Sequence, residues 1–185
     1  MKVLIVSDTH GQDENLEETV LREAPFDYLI HCGDVEGREI FIEALAECPC
    51  TIVAGNNDFF TDLPYDEEVT LEGHKILVTH GHHYFVSQDY DKLVENAQAK
   101  GCKIAMYGHT HMPVIENEDG ILVINPGSLT YPRQRPQAKL CSYADRRGKR
   151  SSGRDQIPLK NYLTESGKLL AEAANIRLTH LTVYF

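Results

Sequence analysis

The chain reads as an α/β fold, with two mixed β-sheets packed face to face as a sandwich and flanked by helices. Two observations predict this. Over residues 3–54, short apolar runs alternate with amphipathic helical stretches, the order of a parallel sheet with right-handed crossovers. Over residues 68–124, paired strand-like runs meet at tight polar turns, which points to antiparallel hairpins.

Each element has its own signal. Val3–Ser7 is β-branched and apolar, a short buried strand. Asp13–Glu23 sets Leu16, Val20 and Leu21 on one helical face. Tyr28–His31 is the second strand. Arg38–Glu47 carries Ile40, Phe41, Ala44 and Leu45 at helical spacing, and Pro49 stops it. Thr51–Ala54 is the third strand. Glu68–Leu71 and Lys75–Thr79 flank Glu72-Gly73-His74 as a hairpin. Asp89–Lys100 is a helix and Lys103–Tyr107 a strand. Val114–Glu116 and Ile121–Ile124 form a second hairpin around a polar turn at Asn117–Gly120. Leu163–Ala174 has a helical stripe in Leu169, Leu170 and Ala173, and Leu181–Phe185 reads as a closing strand.

Composition bounds the function. At 185 residues the default is one domain, taken as 1–185, with residues 133–185 the least patterned part. Apolar runs fall short of the roughly 18–20 residues of a membrane span. The N-terminal apolar run is short and meets Asp8 rather than a cleavage site, so a cytoplasmic location is expected. Five scattered cysteines suggest reduced, packed thiols. Residues 1–132 hold seven Lys/Arg against 24 Asp/Glu, a net −17, whereas residues 133–185 hold eleven against four, a net +7. An acidic body argues against broad nucleic-acid binding. The basic segment 133–160 reads first as solvated, with a substrate or subunit contact and a nucleic-acid arm as the alternatives.

The chemistry concentrates at strand ends. Asp8 and His10 follow the first strand, Asp34 the second and Asn56 the third. His80 follows Lys75–Thr79, and His109 and His111 follow Lys103–Tyr107. In open α/β sheets the C-terminal strand edge is where ligands bind. Any one of these residues alone reads better as a cap, a turn residue or a structural histidine. Together, two Asp, one Asn and four His form an N/O donor set suited to manganese, iron, nickel, cobalt or zinc and not to calcium. Seven donors exceed one four-ligand site, and a carboxylate can bridge two ions. Glycines 33, 55, 81 and 108 beside them suit tight turns and close backbone approach. His82 is a second-choice site residue, as a substrate contact or a solvated loop residue. His31 and His74 read as structural. Asn125 and Ser128 read first as a turn and otherwise as supports orienting His109 or His111. Tyr131 and Arg133 are candidates to reach a substrate.

These blocks resemble the calcineurin-like metallophosphoesterase family. They stand in order as Asp8-Thr9-His10, Gly33-Asp34, Gly55-Asn56-Asn57-Asp58, His80-Gly81 and Gly108-His109-Thr110-His111. With Asn125-Pro126-Gly127-Ser128, the chain is similar to the small bacterial and archaeal phosphodiesterase branch over roughly residues 1–132. The resemblance implies a four-layer sandwich and two divalent ions, manganese first, with nickel, iron or zinc also compatible. It implies that Asp8, His10 and His111 hold one ion, that Asn56, His80 and His109 hold the other, and that Asp34 bridges them. A hydroxide between the ions would then attack phosphorus in line. Many members carry a His where this chain has Asn57, and Asn is no general acid near neutral pH. The final strands of the family are not recognisable in Ala138–Gly153.

The implied function is a metal-dependent phosphodiesterase or phosphatase acting on a small phosphate ester, with no membrane partner and with nucleic acid disfavoured as a partner by the acidic body. Symmetric dimers are common among enzymes of this size, so a second copy is a candidate partner. The alternative is a scaffold module of the same fold that recruits protein partners. A single-zinc hydrolase would leave Asp34 and Asn56 without purpose.

Overall fold

The computed structural model describes residues 1–133, together with the strands at Lys168–Leu169 and His180–Val183. The first sheet runs β3-β2-β1-β10-β9, with β1 (Lys2–Val6), β2 (Tyr28–His31), β3 (Cys50–Ile52), β9 (Lys168–Leu169) and β10 (His180–Val183). Strands β1, β2 and β3 are parallel neighbours, β10 joins β1 in parallel, and β9 closes antiparallel on β10. The second sheet runs β4-β5-β6-β8-β7, with β4 (Asp66–Leu71), β5 (His74–Thr79), β6 (Ile104–Met106), β7 (Val114–Glu118) and β8 (Ile121–Asn125). Its hairpins β4–β5 and β7–β8 are antiparallel, and β6 pairs in parallel with both β5 and β8.

Strand alternation builds the layers, because successive side chains leave opposite faces of a strand. Val3 and Ile5 of β1 join Ile30, Val53, Ile76, Val78, Ile104, Met106, Leu122 and Ile124 in a core between the sheets. Leu4 and Val6 point the other way, onto α1 (Asp13–Glu23) and α2 (Glu39–Ala46), where Leu16, Val20, Ile42 and Ala46 meet them. Leu77, Ala105 and Tyr107 of the second sheet pack likewise on Leu93, Val94 and Ala97 of α3 (Asp91–Ala99). Three apolar interfaces thus separate four layers: helices, sheet, sheet, helix. Leu16, Leu29, Ile76 and Leu93 are fully buried, and each such side chain contributes about 1.5–3 kcal/mol by leaving water.

Both hairpins turn through two residues with positive φ, Glu72-Gly73 at 49° and 82° and Asp119-Gly120 at 49° and 82°. That is the twist-matched turn that joins antiparallel strands directly, and its Gly-bearing dipeptides are what marked the turns in the sequence. Helix and strand boundaries otherwise fall within two residues of expectation, as hydrogen-bonded ends commonly do.

One expectation fails. Lys168–Leu169, inside the expected helix 163–174, is strand: Leu169 lies opposite Leu181 and Lys168 opposite Thr182. A stripe of three apolar residues behind Gly167 is a weak helix signal, and backbone pairing with β10 overrides it. The rest of that stretch and the basic segment after Arg133 lie outside the described residues. The closing strand is present at His180–Val183, one residue earlier than expected at its start. Among the described residues, no helix is long and apolar enough to cross a membrane, and Cys32, Cys48, Cys50 and Cys102 are free thiols.

Candidate metal centre

The parallel ladder of the first sheet continues past its strand ends. Asp8 N donates to Gly33 O at 3.0 Å and His10 N to Asp34 O at 2.9 Å, so the loops after β1 and β2 advance side by side. In the second sheet Gly108 N donates to His80 O at 3.2 Å, which ties the loops after β5 and β6. Face-to-face packing brings these two edges together. The His80 imidazole donates from Nδ1 to Cys32 O at 2.7 Å, and His109 N donates to Asp8 Oδ2 at 3.1 Å. All seven residues expected as ligands meet there.

Five of the seven (Asp8, His10, Asp34, His109 and His111) have positive φ, from 48° to 67°. Residues with a Cβ rarely adopt this conformation, and it clusters at functional sites where surrounding structure enforces it. Glycines make the enforcement feasible. A Cβ on Gly55 would lie 2.0 Å from Asp34 Oδ1, and one on Gly108 would lie 2.0 Å from Ser7 Oγ.

The donors fall into two overlapping groups. Asp8, His10 and His111 form one, with His111 Nε2 at 3.2 Å from Asp8 Oδ1 and 3.3 Å from His10 Nε2. Asp8, Asp34 and His80 form the other, with His80 Nε2 at 3.5 Å from Asp34 Oδ2. His80 Nε2 and His109 Nδ1 both face Asn56 Oδ1, at 3.1 and 2.8 Å. Asp34 Oδ2 lies 3.5 Å from His80 Nε2 and 3.8 Å from His10 Nε2, between the two groups.

The protein's hydrogen bonds leave this set poised for cations. His10 turns Nδ1 to Glu36 Oε1 at 2.9 Å, His111 donates from Nδ1 to Tyr131 O at 3.0 Å, and His80 donates to Cys32 O. In each case the outer nitrogen is engaged and Nε2 turns inward, the way metal-binding imidazoles are oriented. Asp8 Oδ2 accepts from Ser7 Oγ at 2.5 Å, whereas its buried Oδ1 accepts no hydrogen bond among the described residues. A buried carboxylate oxygen left without a donor is costly, and a divalent cation at this donor set would satisfy it. The residues therefore fit a metal, and N/O donation selects transition ions over calcium.

The electrostatics of the protein alone agree. Burial would push the Asp34 carboxyl up, but the adjoining His80 imidazole and the hydrogen bonds from Asn57 outweigh it and hold the group well below the usual carboxylate range. Burial opposes charge on His80 as well, yet Asp34 and Asp8 raise its proton affinity. His111 is raised through Asp8, while burial lowers His109. Asp8 and Asp34 thus draw positive charge toward the His80 and His111 imidazoles.

The remaining candidates separate. Asn57 donates its amide N to Asp34 Oδ1 at 2.9 Å and its side-chain Nδ2 to Asp34 Oδ2 at 2.6 Å, so it grips the central carboxylate while lining the cleft. His82 lies in a short 3₁₀ turn, His82–Tyr84. Its ring centroid is 5.4 Å from that of His80 and 6.1 Å from that of His109, and burial and neighbouring histidines lower its pKa to about 4. It stands beside the cluster and does not line the cleft. His31 is buried under the loops and His74 begins β5. Ser128 Oγ donates to Asp8 O at 2.8 Å, and Asn125 Nδ2 donates to Gly108 O at 2.7 Å, so both brace loops that carry candidate ligands.

Two supports received no role from the sequence, Asp58, which appears there only as the last residue of its block, and Glu36. Asp58 closes the run Gly55-Asn56-Asn57-Asp58, and its Oδ2 accepts from Gly55 N at 2.7 Å; a carboxylate three residues after a turn glycine is the signal that could have found it. Glu36 had no local signal. A cleft of about 460 Å³ opens over the cluster, lined among others by His10, Asp34, His109, His111, Tyr131 and Arg133.

Comparison with known proteins agrees with this geometry. Residues 1–145 match the calcineurin-like phosphoesterase superfamily domain. The chain is 40% identical to a probable metallophosphoesterase of Bacillus subtilis, YsnB, over 73% of this chain and 79% of that one. It is 32% identical to a phosphodiesterase of Methanocaldococcus jannaschii, over 69% and 83% of the two chains. A crystal structure from Streptococcus pneumoniae, of a conserved protein described as a predicted phosphoesterase, superposes with a TM-score of 0.63 at 36% identity, covering 71% of this chain and 74% of that one. The chain belongs to the calcineurin-like phosphoesterase superfamily and is a metal-dependent phosphoric ester hydrolase.

Proposed function

We propose that the chain hydrolyses phosphodiesters at a centre of two divalent cations, manganese first among them. The observation that carries this reading is the pair of donor groups sharing Asp8, with Asp34 Oδ2 set between imidazoles of both. Asp8, His10 and His111 would hold one ion, Asn56, His80 and His109 the other, and Asp34 would bridge. When bound, such a pair supplies an acidified water as nucleophile and neutralises charge on the phosphoryl oxygens.

The protein's own residues do the rest. Asn57 fixes both oxygens of Asp34, and Glu36 and the carbonyls of Cys32 and Tyr131 fix the histidines. Asn57 offers no proton to a leaving group, which favours esters whose leaving groups depart unaided. The intact donor set favours hydrolysis over a purely scaffolding role.

The test is to strip metals, add back manganese, nickel, iron or zinc singly, and assay bis(4-nitrophenyl) phosphate beside 4-nitrophenyl phosphate. Activity returning with manganese, with the diester ahead, supports the proposal, and Asp34→Ala should abolish it. No turnover with any cation would sink it.

A further inference from the structure

A cleft that receives phosphate esters should offer cationic contacts, yet residues 1–132 carry a net −17. Among the described residues that line it, Arg133 is the one Lys or Arg. Its neighbours there include His10, Asp34, His111 and Tyr131. Among the described residues its guanidinium makes neither a hydrogen bond nor an ion pair.

The main chain holds this residue in place. Arg133 N donates to His111 O at 2.9 Å, and Tyr131 O accepts from His111 Nδ1 at 3.0 Å, so one metal-ligand candidate grips the strap at two points. Tyr131 N donates to Ser128 Oγ at 2.9 Å, and Gln12 Nε2 donates to the Tyr131 hydroxyl at 2.8 Å. The Tyr131 ring lies nearly parallel to the His111 ring, 11° between planes. This anchored segment carries Arg133 into the lining of the cleft beside Tyr131.

We propose that Arg133 is a specificity-determining residue that binds a non-bridging oxygen of the substrate phosphate as the ester lies in the cleft. The guanidinium fork matches two phosphoryl oxygens and keeps its charge at all working pH. This rests on the phosphoesterase reading for the identity of the ligand. Selection then works by charge: the protein takes anionic phosphate esters and rejects neutral triesters, for which the arginine has no partner.

The test uses the full chain loaded with manganese and three variants, Arg133→Lys, Arg133→Ala and Arg133→Glu. Inorganic phosphate binding is followed by calorimetry, and turnover of bis(4-nitrophenyl) phosphate is measured alongside. Arg133→Ala should weaken phosphate binding and raise KM by about 10- to 100-fold, the range for a lost charged hydrogen bond. Arg133→Lys should recover part of this and Arg133→Glu should lose more, with manganese uptake and Tm unchanged in all three. Unaltered phosphate affinity and KM in Arg133→Ala would overturn the proposal. Were the wild type to turn over no ester, the phosphoesterase reading would fail by itself, and the phosphate titration would still decide whether Arg133 binds the anion.

Discussion

The amide of Asp34 donates to Oδ2 of Asp58 at 2.8 Å, binding the central carboxylate's backbone to the loop that carries Asn56 and Asn57. The same oxygen accepts from Gly55 N at 2.7 Å, and Oδ1 accepts from Glu36 N at 2.6 Å. One buried side chain thus fastens three backbone amides on two loops. In Asp58→Asn, an NH₂ replaces one oxygen and faces at least one of those donors. The expected loss is about 1–3 kcal/mol of stability, with weaker manganese binding. Thermal unfolding and metal titration of the variant check both.

Gly108→Ala should disable the site while leaving the sheets intact. The added Cβ would fall 2.7 Å from Asp8 Oδ2 and 3.0 Å from Cys32 O, as well as on Ser7 Oγ. Asp8 must then move, and with it the carboxylate common to both donor groups. Loss of phosphoesterase activity with a near-wild-type far-UV circular dichroism spectrum is the expected outcome; unchanged activity would show that the contact relaxes freely.

His31 makes stability depend on pH. Its Nδ1 accepts from Gly33 N at 3.2 Å, so the neutral ring carries its proton on Nε2 and donates to Thr9 Oγ1 at 3.1 Å. Burial lowers its pKa from 6.5 to about 4. The folded state therefore binds this proton less readily than the unfolded chain. Stability from this group is full above pH 6.5, falls as pH drops and is gone below about 4, a total of about 3 kcal/mol. His31→Gln should flatten the Tm-against-pH profile between those two pH values relative to the wild type. Parallel profiles would refute the assignment.

Asn57→His should change which esters turn over fastest. The present side chain donates to Asp34 Oδ2 and cannot act as an acid. A histidine at this cleft-lining position supplies a group that titrates near neutrality. Rates on esters with poor leaving groups should rise relative to nitrophenyl esters. The measurement is the slope of log kcat against leaving-group pKa, and an unchanged slope would count against a role for this position in leaving-group departure.

What the amino-acid order alone established was local. A continuous β-branched apolar run marked β1, Glu72-Gly73 and Asp119-Gly120 marked the turns, and ligand-type residues stood at the ends of successive strands. These features are legible because periodicity and turn chemistry act between near neighbours. The weak stripe around Leu169 misled for the same reason: a strand at a sheet edge is decided by its partner, here β10, and not by its own residues. Family resemblance implied that these residues converge; only the tertiary structure decided how the two stacked sheets bring the edges bearing the candidate ligands together. That stacking sets His111 against Asp8 and His10 across about a hundred residues, gives Asp58 its three amides, and delivers Arg133 to the cleft. Such contacts arise from burying the apolar faces of both sheets against each other, and no sequence-local pattern encodes the distance they close.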